Sequence, residues 1–538
     1  MAEPRSDVLP VIIAGGGPIG LITALGLVHH GVPCVILEED SALSLDTKAG
    51  TVLTRTLEVL ARYNALDPVL RASVRIDEIG ETDRSSDVPQ KSILTANLAD
   101  ETQFPFVINI PQHHLEPVLH DRLDALAPGT VRMRHRVTGF EQHTDGVTVA
   151  FDSPDGPGTI EGSYLLGCDG GRSFVREQLG ARVDGMTLEE RYMLIDLEAD
   201  LDVSSPRDYP YLSYFGDSTE WMILVRQPHC WRFLFPLAAG AAEPTPAELQ
   251  QKVLRFIGDV DSRVIGTNIY SVHHRVASQW QSDRVFLMGD AAHLITPMWA
   301  LGLNTGVLDA SNLPWRLSWV LRGWADPELL AGYEAEQSPI ALRGSGEIAE
   351  AARKRMGRAG DAADVINNDN AWAAAMTRTL LGVVLDVDGS GRGGIIVNRE
   401  ADAPLELGQR VPDAPVFGPA GRHTLHELCA DSFVALYFTD ARRQPPIPGD
   451  DETPGLRHRI VSRWDAPENT GLRPQSLFDP GERATRTLGV PENTLVLLRP
   501  DGHVAAIEPW DPRDPSHHAR GAQAYRRITR PSERITHG

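Results

Sequence analysis

The feature that most constrains this chain is "VIIAGGGPIGLITALGLVHHGVPCVILEE", Val11 to Glu39. A short β-branched stretch is broken by Gly15, Gly17 and Gly20 in G-x-G-x-x-G spacing, with Ile19 inside the loop. A helical pattern follows, and a second apolar strand ends at Glu38 and Glu39. In that setting the first glycine permits a tight turn, the second lets a pyrophosphate approach the backbone, and the third lets helix and strand pack closely. The helix N-terminus offers unpaired N–H groups and partial positive charge to the phosphates. Glu38 stands eighteen residues after Gly20, where an acid accepts hydrogen bonds from the adenosine ribose. A Gly-rich turn of any α/β protein would explain the glycines alone. Strand, helix, second strand and terminal acids together point to dinucleotide binding. The uncharged run Val11 to Val28 is not read as a membrane span, because Gly15 to Pro18 interrupt it where the pattern changes from strand to helix.

A length of 538 residues implies two to four domains, and 42% apolar with 23% charged residues is the composition of a globular protein. With 51 basic against 73 acidic residues, the net charge of -22 opposes nucleic acid and anionic lipid as partners. Cys34, Cys168, Cys230 and Cys429 show no C-x-x-C spacing. Neither a metal cluster nor a disulfide framework is expected, and a cytoplasmic location fits.

A second motif selects between cofactors. "RVFLMGDAAH" reads as a buried strand, Val285 to Met288, that places Asp290 at its carboxyl edge, where open α/β sheets bind ligands. An acid there can accept hydrogen bonds from a ribityl chain, which FAD has and NAD lacks. After Pro297 a helical pattern begins near Gly302, Leu303 and Asn304. Its N-terminus could face the flavin pyrimidine and stabilise negative charge on the reduced ring.

Three stretches, Val11 to Glu39, "LLGCDGGRSFVREQLG" from Leu165 and "RVFLMGDAAHLITPMWALGLNTGVLDASNL" from Arg284, together resemble the class A flavoprotein aromatic monooxygenases related to para-hydroxybenzoate hydroxylase and phenol hydroxylase. The resemblance spans about Val11 to Pro339. It implies that Asp290 binds the ribityl chain and that Asp169, followed by Arg172, Ser173 and Arg176, serves both FAD and NAD(P)H. It also implies that Gln112 contacts the cofactor, and that Lys48 stands where the family often has an arginine near the FAD phosphates. Outside this context Asp169 would simply start a turn. His293 reads as a packing residue of its turn rather than a metal ligand. Where the phenol hydroxylase branch carries an aspartate, this chain has Gly50, so no catalytic base is assigned. Trp299 and Ala300 replace the small residues usual in the flavin loop; Trp299 is expected to enter the substrate cavity or to stack beside the flavin. Tyr214, Gln227 and Arg232 are further candidates for substrate contact; Tyr211, Tyr214 and Trp231 read equally as lining of that cavity or as ordinary sheet packing.

The expected fold is α/β: a discontinuous Rossmann-like FAD-binding domain (1–74, 104–180 and 270–340) with an inserted β-sheet substrate domain (75–103 and 181–269). A helical segment (341–390) and a linker (391–404) then lead to a C-terminal unit (405–538) that resembles a thioredoxin-like domain without C-x-x-C. The implied activity is hydroxylation of a phenolic or otherwise activated aromatic ring through a flavin hydroperoxide, with NADPH or NADH as reductant and O2 as co-substrate. The alternatives are epoxidation or Baeyer-Villiger type oxygen insertion on a polyketide-like substrate, and a non-catalytic flavin-binding role. A homo-oligomer is compatible with the sequence.

Overall fold

The computed structural model describes residues 9–44, 50–83, 91–201, 210–217, 220–356, 380, 384–390, 393, 404–464 and 474–531. Lys48, most of the linker 391–404 and much of the segment 341–390 lie outside the described residues.

Val11–Ala14 and Tyr164–Gly167 are apolar along their whole length because they are buried on both faces. They sit inside a six-stranded sheet ordered Gln281–Ser282, Val285–Leu287, Tyr164–Gly167, Val11–Ala14, Cys34–Glu38, Val131–Met133. All but the first of these strands run parallel. Helix Pro18–His29 starts on a proline, whose missing N–H costs nothing there, and buries Gly20 through Leu27. It packs against helices Gln112–Leu126 and Leu301–Leu321.

An eight-stranded sheet follows the order His293–Leu294, Ser262–Ala277, Val183–Ala199, Trp231–Leu237, Met222–Arg226, Leu212–Gly216, Glu78–Asp83, Lys91–Leu94. Its pleat sorts the side chains into two cores. Met193, Ile195, Phe215, Met222, Leu224, Trp231, Phe233 and Phe235 face helix Pro246–Ile257. Tyr192, Leu194, Tyr214, Ile223, Val225 and Leu234 face Leu53, Val107, Met298 and Trp299. Strand Val74–Ile76 pairs with Val107–Asn109 instead of joining this sheet, which begins at Glu78. The sequence boundary at residue 75 falls inside that short strand.

Beyond residue 404 lies a seven-stranded mixed sheet ordered Gly421–Thr424, Pro415–Gly418, Ser476–Phe478, Leu456–Ser462, Phe433–Phe438, Thr494–Leu498, Val504–Pro509. Its last two strands form a hairpin around Pro500-Asp501-Gly502. Trp315 and Trp319 of helix Leu301–Leu321 pack against Phe433. Beside them Glu336 takes buried ion pairs from Arg316 and Arg499, both 2.7 Å. The C-terminal unit therefore rests on the helix whose N-terminal end carries the 297–300 loop.

Candidate active site

Because their strands are parallel, Val11–Ala14, Tyr164–Gly167 and Val285–Leu287 deliver three motifs to one edge of the sheet. Gly15 has φ +101°, and a Cβ there would collide with the Cys168 carbonyl oxygen. A Cβ on Gly20 would collide with the Gly15 carbonyl oxygen. Gly17 differs from both: a Cβ there would meet nothing within 4 Å. The outer two glycines are therefore demanded by the chain itself, whereas the middle one keeps clear a space the chain does not fill. Gly17 also precedes helix Pro18–His29, whose first turn has no side-chain cap, so its N–H groups face that space.

Glu38 closes the cradle. Its Oε2 accepts from the Gly16 N–H at 2.5 Å and its Oε1 from the Asp40 N–H at 2.8 Å, which fixes the carboxylate beside the glycine loop. Glu39 is exposed next to it. Ile19 would touch a Cβ on either Gly289 or Gly306, so the first helix fits against the Asp290 turn and the long helix only because both are glycines.

Asp290 is exposed in a short turn, Gly289–Ala291, whose other two residues are buried. Asp309, buried on the long helix, holds that turn: its Oδ2 accepts from the Gly289 N–H at 2.8 Å and lies 2.9 Å from His293 Nε2. His293 also stacks on Trp280 at 5.2 Å. The packing role read for His293 is what the structure shows, with Asp309 as a partner the sequence did not reveal.

Asp169 does start a turn. Its Oδ2 accepts from the Val175 N–H at 3.0 Å, Ser173 caps helix Phe174–Gln178, and burial pushes the Asp169 carboxyl above its ordinary range. Its Oδ1 is buried without a hydrogen-bond partner. Arg176 donates to the carbonyls of Ala291 at 2.9 Å and Gly171 at 2.8 Å, tying the Asp169 loop to the Asp290 turn. Arg172 is exposed. Gln112 opens its helix and donates to Glu116 Oε1 at 2.7 Å.

Helix Leu301–Leu321 begins one residue before Gly302. Asn304 is committed within the chain: its amide donates to the carbonyls of Thr51 and Ala300, and its Oδ1 accepts from the Leu53 N–H and Thr56 hydroxyl. Leu303 and Gly302 are half-buried on the helix's first turn, and Pro297 opens the loop before it.

In that loop Trp299 and Ala300 are both left-handed, with φ +58° and +55°. A residue with a Cβ pays roughly 1–2 kcal/mol for this conformation. The indole is 4% exposed and stacks on Tyr214, with ring centroids 4.5 Å apart and planes 15° from parallel. Such a pair contributes about 0.5–1.5 kcal/mol beyond its burial. Burial raises the Tyr214 phenol well above its ordinary range, and a backbone hydrogen bond from Trp299 only partly opposes this. Tyr214 stays protonated at neutral pH.

Further along the same face the candidates Gln227 and Arg232 come together. Arg232 forms a buried two-point pair with Asp196 at 2.8 and 2.9 Å. Gln227 is fully buried, and neither end of its amide has a hydrogen-bond partner. The missing side chain of Gly50 makes room for it, since a Cβ there would lie 2.5 Å from Gln227 Nε2. No sequence pattern brings His113 to this place; burial, then Arg232, lowers its pKa, and its Nδ1 is buried and unpartnered. For Trp231 and Tyr211 the structure shows the packing alternative. They pack edge to face at 5.7 Å, and Trp231 belongs to the core under helix Pro246–Ile257, because its odd position puts it on the far side of the pleat.

The open space at Gly17, the uncapped helix above it, Glu38 on one side and exposed Asp290 on the same sheet edge fit the phosphates, ribose and ribityl chain of FAD. Among the described residues no group of three His, Cys, Asp or Glu side chains is arranged to hold a metal ion, and no helix is long and apolar enough to cross a membrane.

Comparison with known proteins agrees. Residues 8–344 match the FAD binding domain family. A 12-dehydrotetracycline 5-monooxygenase/anhydrotetracycline 6-monooxygenase of Streptomyces rimosus is 30% identical over 534 residues, 92% of this chain and 94% of its own length. Para-nitrophenol 4-monooxygenase of a Pseudomonas species is 29% identical over 339 residues, 62% of this chain and 83% of its own. The crystal structure of aklavinone-11 hydroxylase with FAD and aklavinone has the same fold, with a TM-score of 0.78 and 24% identity over 98% of this chain and all of that one. The chain belongs to the family of FAD-dependent monooxygenases.

Proposed function

We propose that this enzyme uses NADPH or NADH and O2 to hydroxylate a phenolic ring, and that the ring belongs to a fused aromatic system of the polyketide kind. The observation that carries the reading is the sheet face opposite the cradle, where the apolar and aromatic surface around Tyr192, Tyr214, Ile223 and Leu234 adjoins the polar end formed by Gln227 and the Arg232–Asp196 pair. Such a face suits a flat apolar body carrying polar groups at one end. Of the relatives matched along most of the chain, several are named for tetracycline-type substrates and one for pentachlorophenol; the more numerous first group supports the larger substrate.

When bound, FAD supplies reduction by a nicotinamide and activation of dioxygen for transfer to a ring carbon. The chain binds and orients it. Gly17 and the first turn of Pro18–His29 would take the pyrophosphate, Glu38 the ribose, and Asp290 the ribityl chain, held in place by Asp309. The apolar sheet face excludes water from the ring under attack. Tyr214, kept protonated by burial, can donate a hydrogen bond and does not act as the base.

The test is oxidation of NADPH and NADH by FAD-loaded protein with a panel of mono- and polycyclic phenols, run under labelled dioxygen. Faster nicotinamide consumption and one labelled oxygen atom in the product are expected. Oxidation that no phenol accelerates would refute hydroxylation. A lactone or epoxide among the products would favour oxygen insertion instead.

A further inference from the structure

We propose that the Trp299 indole is a place-holder: it occupies, on Tyr214, the seat that a planar ring of the substrate takes, and it leaves that seat when substrate binds. The identity of the occupant rests on the hydroxylase reading above.

The first support is where the stack lies. Tyr214 is on the sheet face that looks away from helix Pro246–Ile257, and Trp299 reaches it from the loop between the Asp290 turn and helix Leu301–Leu321. The near-parallel rings cover the face of Tyr214 that another flat ring would need. A ring can stack there only by displacing the indole.

The second support is that the seat is held against resistance. Trp299 and Ala300 are consecutive left-handed residues with side chains, an arrangement that persists only where surrounding contacts impose it. Releasing the indole loses the stack and the burial of the ring but relieves both residues. Opposed terms of similar size make a position that a ligand can switch.

The third support is chemical. Tyr214 lies opposite Ile223 in the sheet, and Gln227 follows four residues further along that chain segment, about 13 Å away at the rise of an extended strand. The buried Gln227 amide has an unused donor and an unused acceptor. A planar fused-ring ligand with a hydroxyl beside a carbonyl would place its apolar part on Tyr214 and pair with both ends of the amide. The indole satisfies only the first requirement.

The experiment titrates FAD-loaded protein with 1,8-dihydroxyanthraquinone and, separately, with p-cresol, reading the flavin absorbance change. Trp299→Ala vacates the seat and is expected to tighten anthraquinone binding about tenfold, to change cresol binding much less, and to keep FAD affinity within about threefold. Ala300→Gly relaxes the loop with the indole in place and is expected to weaken anthraquinone binding several-fold. Should Trp299→Ala not fold, Trp299→Phe carries the same sign at smaller size. Weaker anthraquinone binding in Trp299→Ala, equal shifts for both ligands, or loss of FAD would overturn the proposal. If anthraquinone binding responds as expected but no phenol accelerates NAD(P)H oxidation, the place-holder stands and the hydroxylase reading falls. Phenol-stimulated turnover without the binding response would leave the hydroxylase standing and remove the place-holder.

Discussion

The cradle at the carboxyl edge of the parallel sheet and the inner face of the eight-stranded sheet, the two surfaces we propose for cofactor and substrate, are specified differently. In the cradle the backbone makes the surface. Gly15 and Gly20 are fixed by collisions with neighbouring carbonyl oxygens, and Gly17 by the space it leaves. On the sheet face the backbone is regular and side chains decide everything: pleat parity sends Tyr214 inward and Trp231 outward, and Gln227 fits only because residue 50 has no side chain. A surface made of backbone tolerates little change and binds what all members of a family share. A surface made of side chains can be redrawn one residue at a time.

The sharpest way to break this contrast is Gly20→Val. Backbone cannot yield as a side chain can, so a loss of roughly 4 kcal/mol or more is expected, seen as absent soluble protein or a collapsed unfolding transition. On the sheet face the largest effect comes from Asp196→Ala, which leaves Arg232 buried without its carboxylate. About 3–5 kcal/mol of stability should go, measured by denaturant unfolding, with FAD affinity per folded molecule nearly unchanged. Asp290→Ala is smaller and opposite in kind. Folding stability should hold, while the FAD dissociation constant rises about 10–100-fold, the size of a charge-assisted hydrogen bond or two.

The smallest effect lies outside both surfaces. His458 and His503 in the C-terminal unit are held down to about 4 by burial. Between pH 6.5 and about 4 the unfolded chain binds protons there that the folded chain does not, so stability falls as pH falls through that window. Glu336 acts lower. Although burial opposes it, Arg316 and Arg499 hold the carboxyl down to about 2, so its contribution is complete above its ordinary range and is lost only as pH falls toward 2. Melting curves at pH 7 and pH 4.5 should differ by several degrees, and replacing His458 with a neutral isostere should shrink the difference.

The same contrast explains what was legible in the sequence. The glycine spacing and the strand that ends at Glu38 could be placed because local backbone geometry demands particular residue types at fixed offsets. Asp309, the tie from Arg176 to Ala291 and the Gln227–Gly50 fit could not be found in this way. Each joins residues far apart in the chain, and no local pattern announces the partner. Trp231 stayed open between cavity lining and sheet packing because a strand that is apolar on both faces gives no sign of which side looks toward the cofactor. Trp299 stood out as a departure from the resemblance, but its seat on Tyr214 depended on two left-handed residues that neither tryptophan nor alanine advertises.

The most direct measurement is FAD titration of the wild-type protein and Gly17→Val, each stripped of flavin and checked for unchanged folding. Residue 17 has ordinary extended dihedrals, φ −68° and ψ −176°, and open space around its missing Cβ. The valine should therefore fold normally and yet occupy the room meant for the pyrophosphate. Saturable uptake by the wild type, with binding at least a hundredfold weaker in the variant, is the predicted result. Equal uptake by both proteins, or none by the wild type, would contradict it.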